Sequence, residues 1–370
     1  MRVVHVIHSL EPGGAESVLA EFARVAPAHG IEMAVMPISR IRSRAIVGDL
    51  EAAGVPVLPL DLVHRWDPRA FARAVTWLRP WGPDVIHTHL KHADLVGSVA
   101  SRVLRRPMVS TLHVVDDLPG RLGAVKRRLA GVARTATAAR TVTVSDAQRS
   151  WYLEAFPHVR PETVTTLHNG VVDAARGDDA GAVRRELGIP AGAPVVLQVG
   201  LLREGKGHDV LLRAVRQLAD VPDLVVLVAG DGPLRAEVEA AASDLGGRVR
   251  FLGYRTDVAP LMAASDVVVQ PSDYDALPTT LIQALAAGRP VVATAVGGIP
   301  EIVTPGEGVL VPAGDATAVA GALRDLLADP GRRRALGVAA RARYEAAFDA
   351  DRWAGEMRRL YEDVLTAGRR

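Results

Sequence analysis

Residues 267–301 read VVVQPSDYDALPTTLIQALAAGRPVVATAVGGIPE. An apolar run, Val267–Gln270, stops at Pro271 and gives way to a polar loop with Asp273 and Asp275. A helical apolar pattern follows over Leu277–Ala287, and Gly288-Arg-Pro290 breaks it. A second apolar run, Val291–Thr294, then ends in a Gly297-Gly298 turn. A short buried strand, a helix and another short strand of this length make a parallel βαβ unit.

The same alternation extends in both directions. Upstream strand candidates are Val3–Ile7, Met33–Ile38, Val55–Leu60, Val85–Thr88, Met108–Leu112, Val142–Val144 and Val164–Leu167. Downstream ones are Val195–Val199, Leu224–Ala229, Val249–Leu252, Val267–Gln270, Val291–Thr294 and Val309–Val311. Amphipathic stretches such as Ala15–Ala28 and His208–Ala219 lie between them. Thirteen strands exceed one comfortable sheet. The stretch Asp173–Pro194 lacks a strong apolar strand and is rich in Gly and Asp, so a linker is placed near Asp173–Asp179. The fold class is α/β, with two doubly wound domains.

Composition narrows the function. The chain has 370 residues, 49% hydrophobic and 23% charged, enough to bury two cores. It contains no cysteine, which excludes disulfides, thiolate metal sites and a cysteine nucleophile. The net charge is only +2, so a nucleic-acid partner is not expected. Lysine occurs only at 91, 126 and 206; arginine supplies the rest of the positive charge. No apolar run reaches the roughly 18 residues of a membrane span. The first ten residues are too interrupted by histidine for a secretory signal, so a cytoplasmic location is expected. The basic amphipathic stretch 121–134, with Leu122, Val125, Leu129 and Val132 in helical spacing, leaves peripheral contact with the inner face of a membrane open.

In doubly wound sheets, ligands bind at the carboxyl ends of the strands. Three loops there carry chemistry. Gly13-Gly14-Ala15-Glu16 opens the first helix, where bare backbone N–H groups suit a phosphate. Gly200-Leu201-Leu202-Arg203-Glu204-Gly205-Lys206-Gly207 sets a cation before a helix. Asp275 stands just before the helix that contains Gln283, eight residues on.

These motifs resemble a retaining glycosyltransferase of family 4, also called glycosyltransferase group 1, over nearly the whole chain. The resemblance implies the GT-B architecture, two Rossmann-like domains facing across a cleft. It implies an acceptor domain over 1–175, onto which a C-terminal helix, 351–370, packs back, and a donor domain over 176–350. Gly13 and Gly14 resemble the family's N-terminal glycine loop. His113 matches the histidine facing the donor sugar, and Asn169-Gly170 the Asn-Gly near the domain boundary. Lys206 matches the diphosphate-binding lysine, and Asp275 and Gln283 occupy the two positions of the Glu-x7-Glu motif. Tyr254 and Arg255 lie where the family contacts the base, and Leu277, Thr279 and Thr280 fall beside the donor. Three residues depart from the pattern. Leu201 replaces an arginine, for which Arg203 is the substitute at hand. Asp275 is one methylene short of Glu. Gln283 loses a charge-assisted bond to the ribose, worth about 1 kcal/mol, roughly fivefold in affinity.

The implied reaction moves a sugar from a nucleotide-diphosphate sugar, UDP-sugar before GDP-mannose, to an acceptor hydroxyl with retention. Lys206, Asp275 and His113 are the expected catalytic residues. No metal and no cofactor are expected, the nucleotide-sugar being a co-substrate. The acceptor is left as a small molecule, a saccharide or a lipid-linked sugar, its specificity assigned to loops near 60–67 and 113–120. Asp273-Tyr-Asp275 fits a metal-binding D-x-D pattern and is read as coincidence. Two alternatives remain. One is a nucleotide-sugar epimerase, which needs acid–base carboxylates. The other is a metal-dependent hydrolase built on His87, His89 and His92.

Overall fold

A computed structural model describes residues 1–62, 69–113, 131–173 and 180–367. The chain divides into two compact units, Met1–Val172 with Ala350–Arg370, and Asp173–Asp349. Each is built on one parallel six-stranded sheet. Of the expected linker, 174–179 lie outside the described residues, as do 63–67 and 114–120 of the acceptor loops and 121–130 of the basic stretch. Among the described residues, no helix is long and apolar enough to cross a membrane.

In the first unit the strands are β1 (Arg2–Ile7), β2 (Glu32–Pro37), β3 (Val85–His89), β4 (Met108–Leu112), β5 (Ala138–Thr143) and β6 (Val164–Thr166). Their order is β2-β1-β3-β4-β5-β6. One expected strand, Val55–Leu60, is reduced to isolated parallel bridges, Val35 with Val57 and Ser39 with Leu62. Pro56 and Pro59 explain this, because neither offers an N–H to a ladder. Leu58 and Leu60 still donate to the carbonyls of Val35 and Pro37, so the segment flanks β2 as an edge. Counting that edge, the spatial order in chain sequence is 3-2-1-4-5-6-7.

The second unit has β7 (Val195–Val199), β8 (Val225–Ala229), β9 (Val249–Gly253), β10 (Val267–Gln270), β11 (Val291–Thr294) and β12 (Gly308–Val311). Their order, β12-β11-β10-β7-β8-β9, is the doubly wound 3-2-1-4-5-6 read from the other side. Both sheets therefore reverse direction once, between β1 and β3 and between β7 and β10. Apolar side chains cover both faces, as a buried parallel sheet requires.

Helix α1 (Gly14–Val25) follows β1, and α2 (Lys91–Leu104) follows β3. Helix α3 (His208–Arg216) follows β7, and α4 (Thr279–Ala286) follows β10. The last helix, α5 (Ala350–Ala367), returns to the first unit. Its Trp353, Met357 and Tyr361 join the core of α1 and β1. The ring of Trp353 meets Phe22 edge-on at 5.0 Å.

Candidate active site

The reversal points fix where to look, because the loops after the flanking strands diverge there and leave a crevice. In the second unit the loop after β7 and the loop after β10 meet backbone to backbone. Asp273 N–H donates to the Gly205 carbonyl at 3.0 Å. Gly207 has φ +68°, and a Cβ on it would fall 1.8 Å from the Pro271 carbonyl oxygen. Only glycine fits. A third loop, after β11, closes on the same point: Gly298 N–H donates to the Asp275 carbonyl at 3.0 Å. Gly297, at φ +52°, leaves no room for a Cβ against that oxygen.

These loops bring Lys206 onto Asp275. The ammonium donates to both carboxylate oxygens at 2.8 Å. The pair is mostly enclosed, with side chains 14% and 13% exposed. Ser272 Oγ donates to Asp275 Oδ2 at 2.9 Å, and Gln270 Nε2 donates to Ser272 Oγ at 2.7 Å. Gln198 Nε2 holds the Lys206 carbonyl at 2.9 Å. The pair joins residues 69 apart in sequence, a contact that motif spacing does not predict. The strand order was the available signal: in a doubly wound sheet, the loops after the first and fourth strands are neighbours.

Helix α4 starts beside this pair, and no side chain caps its first turn. Thr279 and Thr280 are half-buried there, Leu277 is buried, and Gln283 is half-buried in the helix. Uncapped N–H groups at such a terminus attract anions. Arg203 is exposed, and no ion pair or side-chain hydrogen bond engages it among the described residues. Tyr254 and Arg255 follow β9, two strands from β7, about 10 Å across the sheet. Arg255 is committed to Asp257, at 2.7 and 2.6 Å, and to Glu186 at 2.9 Å. These contacts hold its guanidinium charged. The exposed ring of Tyr254 stands beside it.

The first unit answers with a different chemistry. Gly13 caps α1 in extended backbone, and a Cβ on Gly14 would touch nothing within 4 Å. The fold alone does not require glycine at 14, whereas close approach of a ligand would. Glu16 is buried beneath Gly13, and burial pushes its carboxyl up to about 7.

Behind this loop stand buried histidines. His87 and His89 share one face of β3, as alternate strand residues must, and His5 on β1 packs beside them. His5 Nδ1 lies 2.9 Å from His89 Nε2, and His89 Nδ1 lies 2.8 Å from His113 Nε2. His87 bonds the Tyr361 hydroxyl and the Thr111 hydroxyl, each at 2.7 Å. Burial lowers all four rings, His5 to about 3 and His113 to about 4, and keeps them neutral. Asn169 lines the same small cavity.

His92 is not in this row; it packs on His8 at the start of α2, with ring centroids 4.8 Å apart. The expected trio of His87, His89 and His92 therefore does not form. His5 takes the third place, with ring nitrogens within 4.8 Å of those of His87 and His89. Both nitrogens of His87 and both of His89 already have partners, so a metal would have to displace them. Nor does Asp275 behave as half of a D-x-D pair: its carboxylate faces Lys206, and Asp273 is exposed.

Comparison with known proteins agrees with this layout. Residues 12–174 match the profile of Glycosyltransferase Family 4, and residues 179–343 that of glycosyl transferases group 1. D-inositol 3-phosphate glycosyltransferase 1 of Catenulispora acidiphila is 33% identical over 78% of this chain and 74% of its own. The 2-deoxystreptamine N-acetyl-D-glucosaminyltransferase of Streptomyces fradiae is 31% identical over 87% of this chain and 84% of its own. The crystal structure of Anabaena HepE with UDP-glucose superposes with a TM-score of 0.84 and 25% identity, covering 99% of this chain and 100% of that one. Neither the epimerase nor the hydrolase reading finds support among these relatives. With its two parallel doubly wound sheets and both profiles matched in order, the chain belongs to the family 4, group 1 glycosyltransferases of GT-B fold.

Proposed function

We propose that this glycosyltransferase moves a hexosyl or N-acetylhexosaminyl group from a UDP-sugar to an acceptor hydroxyl, with retention and without a metal. The observation that carries the proposal is the enclosed Lys206–Asp275 pair beside the uncapped start of α4. A nucleoside diphosphate carries more negative charge than one carboxylate and competes for the ammonium. Taking Lys206 onto the β-phosphate frees the Asp275 oxygens to accept from sugar hydroxyls. One exchange of partners thus prepares both ends of the donor.

Departure of the diphosphate builds charge on the β-phosphate. Lys206, the exposed Arg203 and the N–H groups of Thr279 and Thr280 stabilise that charge as it grows. Protein cations fill the role a metal has elsewhere. The acceptor hydroxyl attacks from the face the diphosphate leaves, and its proton passes to the leaving phosphate, which accounts for retention without a protein nucleophile. His113 hydrogen-bonds the sugar. Gly13 and Gly14 admit the phosphates closely, and the Gln283 amide accepts from the ribose. Leu277 backs the nucleotide, while Arg255 steadies the turn from which Tyr254 meets the base.

UDP is favoured because HepE, similar over its full length, is described with UDP-glucose. Inositol and 2-deoxystreptamine, in the names of two relatives, are both cyclitols, which favours a small polyhydroxylated ring as acceptor. The reaction is assigned to the cytoplasm. Thermal shift with UDP, GDP and their sugars tests the donor: UDP at 100 times its Kd stabilises by about 2.7 kcal/mol. No shift with any nucleotide would overturn the proposal. NMR of the glycoside product decides retention, and turnover in excess chelator decides metal independence.

A further inference from the structure

The histidine row has a direction. Each neutral imidazole carries one hydrogen, on Nδ1 or on Nε2. His89 has a ring partner at both nitrogens, so it donates at one end and accepts at the other. Only two arrangements exist. In one, His113 donates from Nε2 to His89, and His89 donates from Nε2 to His5 Nδ1. The hydrogen of His5 then sits on Nε2, which is buried and has no hydrogen-bond partner. In the other, His5 donates from Nδ1, His89 donates from Nδ1 to His113 Nε2, and the buried His5 Nε2 is a bare lone pair. Orphaned buried N–H groups are the rarer and costlier of the two. The second arrangement prevails.

We propose that His89, aligned by His5, is a positioning residue that locks His113 as the Nδ1–H tautomer. His113 is the only half-buried member of the row; His5, His87 and His89 are 2–3% exposed. Its Nδ1 has no hydrogen bond among the described residues. The lock makes that open nitrogen a fixed donor, suited to a sugar hydroxyl or ring oxygen and unable to accept a proton there. This rests on the role proposed for His113 in holding the donor sugar, and it adds what sets the polarity of that contact. His87 anchors separately to Tyr361 and Thr111, so His5, His89 and His113 form one unbranched line of hydrogen bonds.

The test is NMR of the full chain with 15N-labelled histidine, which separates protonated from bare ring nitrogens. His113 and His89 are expected protonated at Nδ1 and bare at Nε2; a His113 protonated at Nε2 overturns the proposal. In His89→Phe, His113 should redistribute between tautomers and kcat should fall about tenfold, the worth of one buried hydrogen bond. KM for the donor should move by no more than about twofold, as for an interaction made in the transition state. His89→Asn, whose amide N–H replaces Nδ1–H, should restore both the tautomer and most of kcat. An unchanged tautomer in His89→Phe sinks the lock. Should that variant not fold, His5→Phe, which keeps a ring beside Phe22, must loosen the same preference or the proposal fails. His113→Ala tests the underlying reading separately: wild-type kcat there would remove the sugar contact, whatever the tautomer of His113 in the native chain.

Discussion

The two units share a strand order and differ at the point where that order reverses. Between β7 and β10 the crevice holds a full positive charge matched by a full negative one. Between β1 and β3 it holds four imidazoles that burial keeps neutral. Topology chose both places; the side chains set their charge. An ion pair can be opened by a stronger anion. A row of neutral rings hydrogen-bonds in a set direction and repels nothing. The one is suited to a charged ligand group, the other to a neutral hydroxylated one.

The hardest blow to this contrast falls on the charged side. Lys206→Ala should cut kcat/KM by roughly 10²–10³, the scale of losing one transition-state donor. Steady-state kinetics on the preferred donor measure this, and near-wild-type turnover would end the phosphate-clamp role. Asp275→Asn keeps the shape and removes the competing charge, so nucleotide should bind more tightly while turnover falls.

Acid should break the neutral side first. Unfolded histidine titrates near 6.5, whereas His5 and His113 are held at about 3 and about 4 by burial. Below pH 6.5 the unfolded chain gains protons that the folded rings refuse. Their stabilisation is complete above that pH and is lost as pH falls towards the folded values, at about 1.4 kcal/mol per pH unit per ring. Glu16 works in the opposite sense: with its carboxyl pushed up to about 7, its contribution grows as pH drops from 7 towards 4.5. Glu21, also raised by burial, adds to that. Four depressed rings outweigh two raised carboxyls. In the second unit, among the described residues, only His208 is so depressed, to about 4. Hydrogen-exchange protection factors, corrected for the slower intrinsic exchange in acid, should therefore fall from pH 7 to pH 5 in β1 and β3 well before β7 and β10.

Two glycines sharpen the contrast further. Gly207→Ala meets both a left-handed φ and the Pro271 carbonyl, and should cost about 2–4 kcal/mol in denaturant unfolding. Gly14→Ala meets open space and should change stability by less than about 0.5 kcal/mol, yet weaken donor binding. Equal stability losses would contradict the distinction between a glycine kept for the fold and one kept for the ligand. Among the binding effects the mildest belongs to Gln283→Glu, which should tighten nucleotide binding roughly fivefold by restoring a charge-assisted bond.

Much of this was legible in the amino-acid order. Strand and helix alternation predicts both sheets, and it places Gly207, Lys206 and Asp275 in loops at the carboxyl ends of their strands, where the structure has them. Pairings were not legible, because contacts across a sheet depend on strand order and not on spacing. Lys206 with Asp275 is one such case, and His5 with His89 is another. His92 misled because three residues along the chain looks close, although a strand end and a helix start intervene. Val55–Leu60 misled because an apolar run reads as a strand until the two prolines are counted against its ladder.

The return of α5 to the first core has a consequence for synthesis. The second unit is one continuous run of chain, but the first is completed by Trp353, Met357 and Tyr361. At the roughly 5–20 residues per second of translation, Tyr361 emerges on the order of 10–40 s after residue 172. Through that interval Phe22 lacks its aromatic partner and His87 lacks the Tyr361 hydroxyl. The unit that leaves the ribosome first is thus the last to close, and its neutral histidine row is finished only after the ion-pair site downstream already has all its parts.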